Sequence, residues 1–176
     1  MEEVEVKILE INREKIVKNL AALGAKRVFE GEIVTLFLDF PDGQIHKRRD
    51  VLRLRKEPDK VELTYKKTVQ NNAAVKQVWE YSVVVSDLET AQVIFGNLGL
   101  HVTQRMEKRR LSYMVGNVRF DIDQYEGEYR FIPEFLEIEG SVADIRKYTD
   151  MLGFQWGDCL AWSTDELILH YRSMQV

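Results

Sequence analysis

Charged and apolar side chains alternate at the start of the chain, with Glu3, Glu5 and Lys7 in one phase and Val4, Val6 and Ile8 in the other. Successive side chains of a strand point to opposite faces, so the pattern predicts a strand over 2–9 with a charged face and an apolar one. The same period returns at 33–39, 51–57, 61–67, 76–85, 104–115, 117–125 and 134–139, giving eight strands, enough to close a sheet. Four helix starts lie between and after them. Asn12 is placed to cap a helix carrying Ile16, Val17, Leu20 and Leu23, with Gly24 as its stop. Ser86 with Glu89, Ser141 with Asp144, and Ser163 with Glu166 have capping-box spacing.

The apolar runs behind those caps, Leu88, Ala91, Ile94 and Phe95, then Ile145, Tyr148, Met151 and Leu152, then Leu167, Ile168 and Tyr171, are expected to face the core. Pro41-Asp42-Gly43 is a turn signal, and His46 to Arg49 follows as a solvated basic loop. No linker or repeat divides the sequence. Many strands with few helices predict a single antiparallel α+β domain over 1–176.

The charged phase persists from strand to strand. Arg53 and Arg55 flank Leu54, Lys66 follows Glu62 and Thr64, and Lys76 shares a face with Glu80. Lys108 and Arg110 flank Arg109, Asp121 and Asp123 flank Ile122, and Glu137 and Glu139 flank Ile138. Glu137 and Glu139 are both acidic, while Arg53 with Arg55 and Lys108 with Arg110 are both basic, and like charges side by side are destabilising unless something of opposite sign lies between them. A polyanion with divalent cations meets that need: carboxylates suit a hard cation such as magnesium, and lysine and arginine suit phosphate. The complementary faces, with Val4, Val6, Leu52, Leu54, Leu136 and Ile138, are apolar and are expected to pack beneath helices. The competing expectation is a wet sheet whose surface charges pair loosely.

At 176 residues and 45% hydrophobic composition the chain can bury one ordinary core. A net charge of -4 argues against a nucleic-acid binder. The single cysteine, Cys159, excludes an internal disulfide and any multi-cysteine metal site, in keeping with a reducing compartment. No leader-like segment and no long uninterrupted apolar run are present, so a cytoplasmic protein without membrane contact is expected. The histidines share no ligand spacing and carry no assigned role. A homodimer is compatible with the size of the fold, though nothing in the sequence selects it.

The ordered set Glu3-x-Glu5-x-Lys7, Phe37-Leu38-Asp39, Leu52-Arg53-Leu54-Arg55-Lys56, Leu63-Thr64-x-Lys66, Glu80, Lys108-x-Arg110, Asp123 and Phe135-Leu136-Glu137-Ile138-Glu139 resembles the CYTH family of triphosphate tunnel metalloenzymes. The resemblance implies an eight-stranded antiparallel β-barrel forming a tunnel, with helices on the outside and Mg²⁺ or Mn²⁺ as cofactor. It implies metal-site roles for Glu3, Glu5, Asp123, Glu137 and Glu139, with Glu80 a further acidic candidate. Lys7, Arg53, Arg55, Lys66, Lys108 and Arg110, with Lys76, would hold the phosphates of a small-molecule triphosphate. Catalysis would fall to Glu3, Glu5, Lys7, Arg55, Glu137 and Glu139.

Two departures stand out. Ser82 occupies a position where a second acid is often found, and Leu160-Ala161-Trp162-Ser163-Thr164 stands where many members have a lysine before a Ser-Tyr pair. Trp162 is expected in the core, with the lining of one tunnel mouth as the alternative, and Trp79, Tyr81 and Tyr113, out of phase with the charges, are expected to face the helices. The leading functional expectation is a metal-dependent hydrolase of inorganic triphosphate or a small organic triphosphate. The alternatives are a class IV adenylyl cyclase and a non-catalytic polyphosphate- or nucleotide-binding module.

Overall fold

A computed structural model describes residues 4–72 and 75–174, and side chains outside 69–78 within them; Glu3 and the side chain of Lys76 therefore lie outside the described residues. Eight strands form one antiparallel sheet: β1 (Glu5–Ile8), β2 (Lys26–Asp39), β3 (Val51–Lys56), β4 (Val61–Asn72), β5 (Val75–Val85), β6 (His101–Val115), β7 (Val118–Tyr125) and β8 (Phe135–Glu139). Their order across the sheet is β1-β8-β7-β6-β2-β3-β4-β5. The helices are α1 (Arg13–Ala22), α2 (Gln44–Lys47), α3 (Leu88–Asn97), α4 (Val142–Met151) and α5 (Thr164–Ser173). No helix among the described residues is long and apolar enough to cross a membrane.

The backbone divides into two compact units. One comprises Glu32–Glu107; the other comprises the described residues up to Gly31 together with those from Lys108 onward.

In the second unit, α1 begins where the Asn12 side chain accepts from the Lys15 amide at 2.9 Å, and the chain turns out of it at Gly24, whose φ of +72° is a conformation glycine adopts at little cost. Ile16 and Leu20 of α1, Ile145 of α4 and Leu152 just after it pack on Val6, Ile8, Phe120, Ile122, Leu136 and Ile138. These are the apolar faces of β1, β7 and β8, so the helices cover the greasy side of the strands as the alternation requires. Tyr113 joins this core from β6. Ser141 and Ser163 cap α4 and α5, the latter through a reciprocal box with Glu166.

In the first unit, Leu36, Leu38, Leu54, Ala91 and Leu100 form the core, with Phe95 of α3 against it. Asp39 closes the turn after β2: its carboxylate accepts from the backbone amides of Phe40, Ile45 and His46 at 2.7, 2.9 and 2.9 Å. Burial pushes the Asp39 carboxyl up, but those amides outweigh it and hold it below the ordinary carboxylate range. Of the segment expected as a basic loop, His46 and Lys47 instead end the short helix α2, for whose first amides Asp39 supplies an acceptor, while Arg48 and Arg49 form the turn after it.

Other expectations are corrected here. The N-cap of α3 is Asp87, not Ser86; its carboxylate accepts from Thr90. Ile94 and Met151 lie on the solvent sides of their helices, 53% and 51% exposed. Trp79 and Tyr81 face solvent, since β5 ends the sheet order and α3 packs over β2 and β3 instead. Trp162 is half-buried, outside the two cores above, with its ring 4.9 Å from that of His170. β2 starts at Lys26, well before residue 33.

Candidate functional site

Strand register assembles the charges of the second unit. β1 pairs with β8 so that Glu5 stands opposite Glu139 and Lys7 opposite Glu137. β8 pairs with β7, Glu137 opposite Asp121 and Glu139 opposite Arg119. β7 pairs with β6, Asp123 opposite Arg110 and Tyr125 opposite Lys108. Directly paired residues share a face, so Glu5, Lys7, Lys108, Arg110, Arg119, Asp121, Asp123, Glu137 and Glu139 occupy one face, and the helix-covered core lies on the other.

This charged face is largely buried. Lys7 is 3% exposed, and its Nζ donates to Glu5 Oε1 at 3.0 Å and lies 3.3 Å from Glu137 Oε1. Arg110 forms a fork: Nε donates to Asp123 Oδ1 at 2.6 Å, and Nη2 to Asp123 Oδ2 at 2.5 Å and Glu137 Oε2 at 2.9 Å. Its Nη1 donates to Asp121. Lys108 Nζ reaches the same Asp123 Oδ2 at 2.5 Å. Arg119 donates from Nε to both oxygens of Asp121 at 2.9 and 3.1 Å, and from Nη2 to Ser112 Oγ at 3.3 Å.

The electrostatics follow from this packing. Burial pushes the Glu137 carboxyl up, but Lys108, Lys7 and Arg110 outweigh it and hold the group well below the usual carboxylate range. Burial pulls Lys7 down, and Glu137 and Glu5 more than restore it, so it stays an ammonium. Burial, with Asp123 and Glu137 adding to it, pushes the Tyr125 hydroxyl far above its ordinary value, and it remains a neutral phenol. Such a surface is a fixed field of charges shielded from water, the kind of environment in which electrostatic stabilisation is strongest.

The first unit carries a second row. Arg53 stands opposite Thr64 and Arg55 opposite Glu62; Thr64 stands opposite Ser82 and Lys66 opposite Glu80. Lys66 Nζ is 2.7 Å from Glu80 Oε2, and Ser82 Oγ donates to Glu80 Oε1 at 3.1 Å while lying 3.2 Å from Thr64 Oγ1. Ser82 thus links a hydroxyl to the carboxylate where a second acid was expected. Burial pushes Glu80 up, but the Lys66 bond and charge, with Arg53, hold it below its ordinary value. Among the described residues, Arg55 Nε is buried with no protein acceptor. Buried donors are nearly always bonded, which makes this one an exception.

The sequence-predicted residues therefore fall into two groups: Glu5, Lys7, Lys108, Arg110, Asp123, Glu137 and Glu139 in one unit, and Arg53, Arg55, Lys66 and Glu80 in the other. Asp123 engages both Lys108 and Arg110, and Glu137 both Lys7 and Arg110, so the expected metal-site and phosphate-site residues bond one another. Among the described residues no three such ligands are grouped closely enough to hold a metal as they stand. The donor set nonetheless fits a hard divalent cation in kind, because Glu5 and Glu139 are register partners and offer only carboxylate oxygen. Arg119 was missed, although its phase with Asp121 and Asp123 could have found it.

The CYTH domain model matches residues 1–152. A Methanocaldococcus jannaschii protein named as a candidate adenylate cyclase is 28% identical over 152 residues, covering 86% of this chain and 84% of that one. A solved Pyrococcus horikoshii structure, also 28% identical, superposes with a TM-score of 0.75 over 94% of this chain and 98% of its own. A Hippeastrum structure, described as a candidate adenylyl cyclase with a dominant triphosphatase activity, shares the fold at 15% identity, with a TM-score of 0.70 over 100% of this chain and 97% of its own. The chain belongs to the CYTH family.

Proposed function

We propose that the chain is a metal-dependent phosphohydrolase, acting in the cytoplasm on inorganic triphosphate or a small organic triphosphate. The observation that carries this reading is the largely buried face on which Lys7, Lys108 and Arg110 meet Asp121, Asp123 and Glu137, with the exposed Glu5 at its edge. A surface built only to be wet would not enclose so many charges at the cost of their hydration. The family match, over residues 1–152, runs across both units and supports treating them as one CYTH domain, which we extend to 1–176 with the sheet as the wall of a tunnel.

Lys7, Arg53, Arg55, Lys66, Lys108 and Arg110, with Lys76, would bind and orient the phosphates, the arginines through planar forks that match phosphate geometry. Glu3, Glu5, Glu137 and Glu139 would hold Mg²⁺ or Mn²⁺, with Asp123 and Glu80 as further carboxylates. Once bound, the metal supplies Lewis-acid neutralisation of phosphate oxygens. The cations of the chain then set the alignment, since phosphoryl transfer asks mainly for positioning and charge stabilisation. An incoming phosphate competes with Glu137 and Asp123 for Lys7, Lys108 and Arg110, which releases carboxylate oxygen as the anion enters.

A second reading, adenylyl cyclase, is favoured by the name of the Methanocaldococcus jannaschii relative. A non-catalytic binding module is the third.

Arg55→Ala tests the phosphate-binding row. Calorimetric titration with inorganic triphosphate is expected to show affinity reduced by roughly 10- to 100-fold, the scale of one lost charged hydrogen bond. The melting temperature should move by little, because among the described residues Arg55 Nε holds no protein acceptor that its loss would strand. Unchanged affinity, or unfolding, would remove this row from the site.

A further inference from the structure

Strand register arranges the charged face of the second unit in rows, each crossing the strands from one directly paired residue to the next. Tyr125 and Lys108 form one row, and Phe135, Asp123 and Arg110 the next. Lys7, Glu137, Asp121 and Ser112 form the third, and Glu5, Glu139, Arg119 and Met114 the fourth. Each row carries one cation, Lys108, Arg110, Lys7 and then Arg119, and successive rows are about 7 Å apart along the strands. Exposure of the cations rises only at the fourth row. Lys108, Arg110 and Lys7 are 8%, 8% and 3% exposed, whereas the side chains of Arg119 and its row neighbour Glu5 are 39% and 48% exposed. The row of Arg119 is thus the open end of this face.

The Arg119 guanidinium is pinned by two buried groups. Its Nε donates to both oxygens of Asp121 at 2.9 and 3.1 Å, and its Nη2 donates to Ser112 Oγ at 3.3 Å. Asp121 is 4% exposed and Ser112 has no exposed surface. Among the described residues, Nη1 of Arg119 has no acceptor. Asp121 does not depend on Arg119 as its counter-ion, because Arg110 Nη1 already donates to it. A guanidinium held in one orientation, with a spare edge at the exposed end of a line of cations, is equipped to take a phosphate oxygen from solvent. Holding it beforehand also lowers the ordering cost of binding.

We infer that Arg119 is a further phosphate-binding residue, which grips the outermost phosphate of the chain and thereby selects a triphosphate over a diphosphate. This rests on the phosphate-binding role proposed above and extends it: Lys108, Arg110 and Lys7 hold the inner phosphates, and Arg119 reads the length of the chain.

The test is calorimetric titration of the full chain with inorganic triphosphate and, separately, with pyrophosphate, in chelator so that neither is turned over. Arg119→Met is expected to lower triphosphate affinity roughly 10- to 100-fold, the scale of one lost charged hydrogen bond, and to leave pyrophosphate within about twofold. Its melting temperature should fall by no more than about 4 °C, since a partly exposed ion pair contributes little and Asp121 keeps Arg110. Arg119→Lys keeps a charge beside Asp121 but loses the planar fork. It should fold as wild type does and have a triphosphate affinity between those of wild type and Arg119→Met. Unchanged triphosphate affinity in both variants, or equal weakening for both anions, would overturn the inference. Either result leaves the phosphate site standing, because wild type still binds triphosphate. Wild type binding neither anion would overturn both readings.

Discussion

Arg110→Met is expected to lower the unfolding free energy by about 3 kcal/mol, the lower end of the range for breaking a buried ion pair. Arg110 is 8% exposed and joins Asp121, Asp123 and Glu137. Asp123 has no exposed side-chain surface, so losing the guanidinium leaves its charge enclosed with Lys108 alone. The loss stays near the lower end because Arg119 still holds Asp121 and Lys7 still neighbours Glu137. In a chain of this size the melting temperature should fall by roughly 6–12 °C. A fall of about 1 °C or less would mean that water reaches these groups more freely than their burial implies.

Glu137→Gln should have the larger effect on chemistry and the smaller one on folding. The amide keeps the shape of the side chain while removing the charge that both Lys7 and Arg110 face. Neither cation is stranded, since Lys7 retains Glu5 at 3.0 Å and Arg110 retains Asp123 and Asp121. Turnover of triphosphate should drop by about 100-fold or more, as when one preorganised group is removed from a site of developing charge. Melting should fall less than in Arg110→Met. Retained turnover would make Glu137 a structural counter-ion only, and a large loss of stability with proportionate loss of activity would point the same way.

The strands and the charged face were legible because a period of two survives any detail of packing. Once Lys7, Arg110, Asp123 and Glu137 are in phase, register alone brings them together. The early half of β2 was not legible, since Lys26–Glu32 is exposed or half-exposed throughout and no buried face imposes alternation there. Asp87 replaced Ser86 as a cap because a carboxylate one position on meets the first amides of α3 equally well, and spacing does not separate the two. Asp39, quoted for its place in the family pattern, proved to hold α2, a contact between a strand end and a helix six residues away that no local period encodes.

The pairing of Asp123 with Lys108 and Arg110 was hidden for a different reason. It depends on the register between β6 and β7, set by the two-residue turn at Gly116 and Asn117, where Gly116 has φ of +57°. Reading that turn would have placed Arg110 opposite Asp123, and would have brought Arg119 into the cluster beside Asp121.

The central claim is best tested by incubating the purified chain with inorganic triphosphate and, in parallel, with ATP, in Mg²⁺ or Mn²⁺, and following released phosphate and cyclic AMP together. Metal-dependent phosphate release that stops with chelator, without cyclic AMP, is the predicted result. Cyclic AMP and pyrophosphate as the products, or tight triphosphate binding with no turnover in either metal, would contradict it.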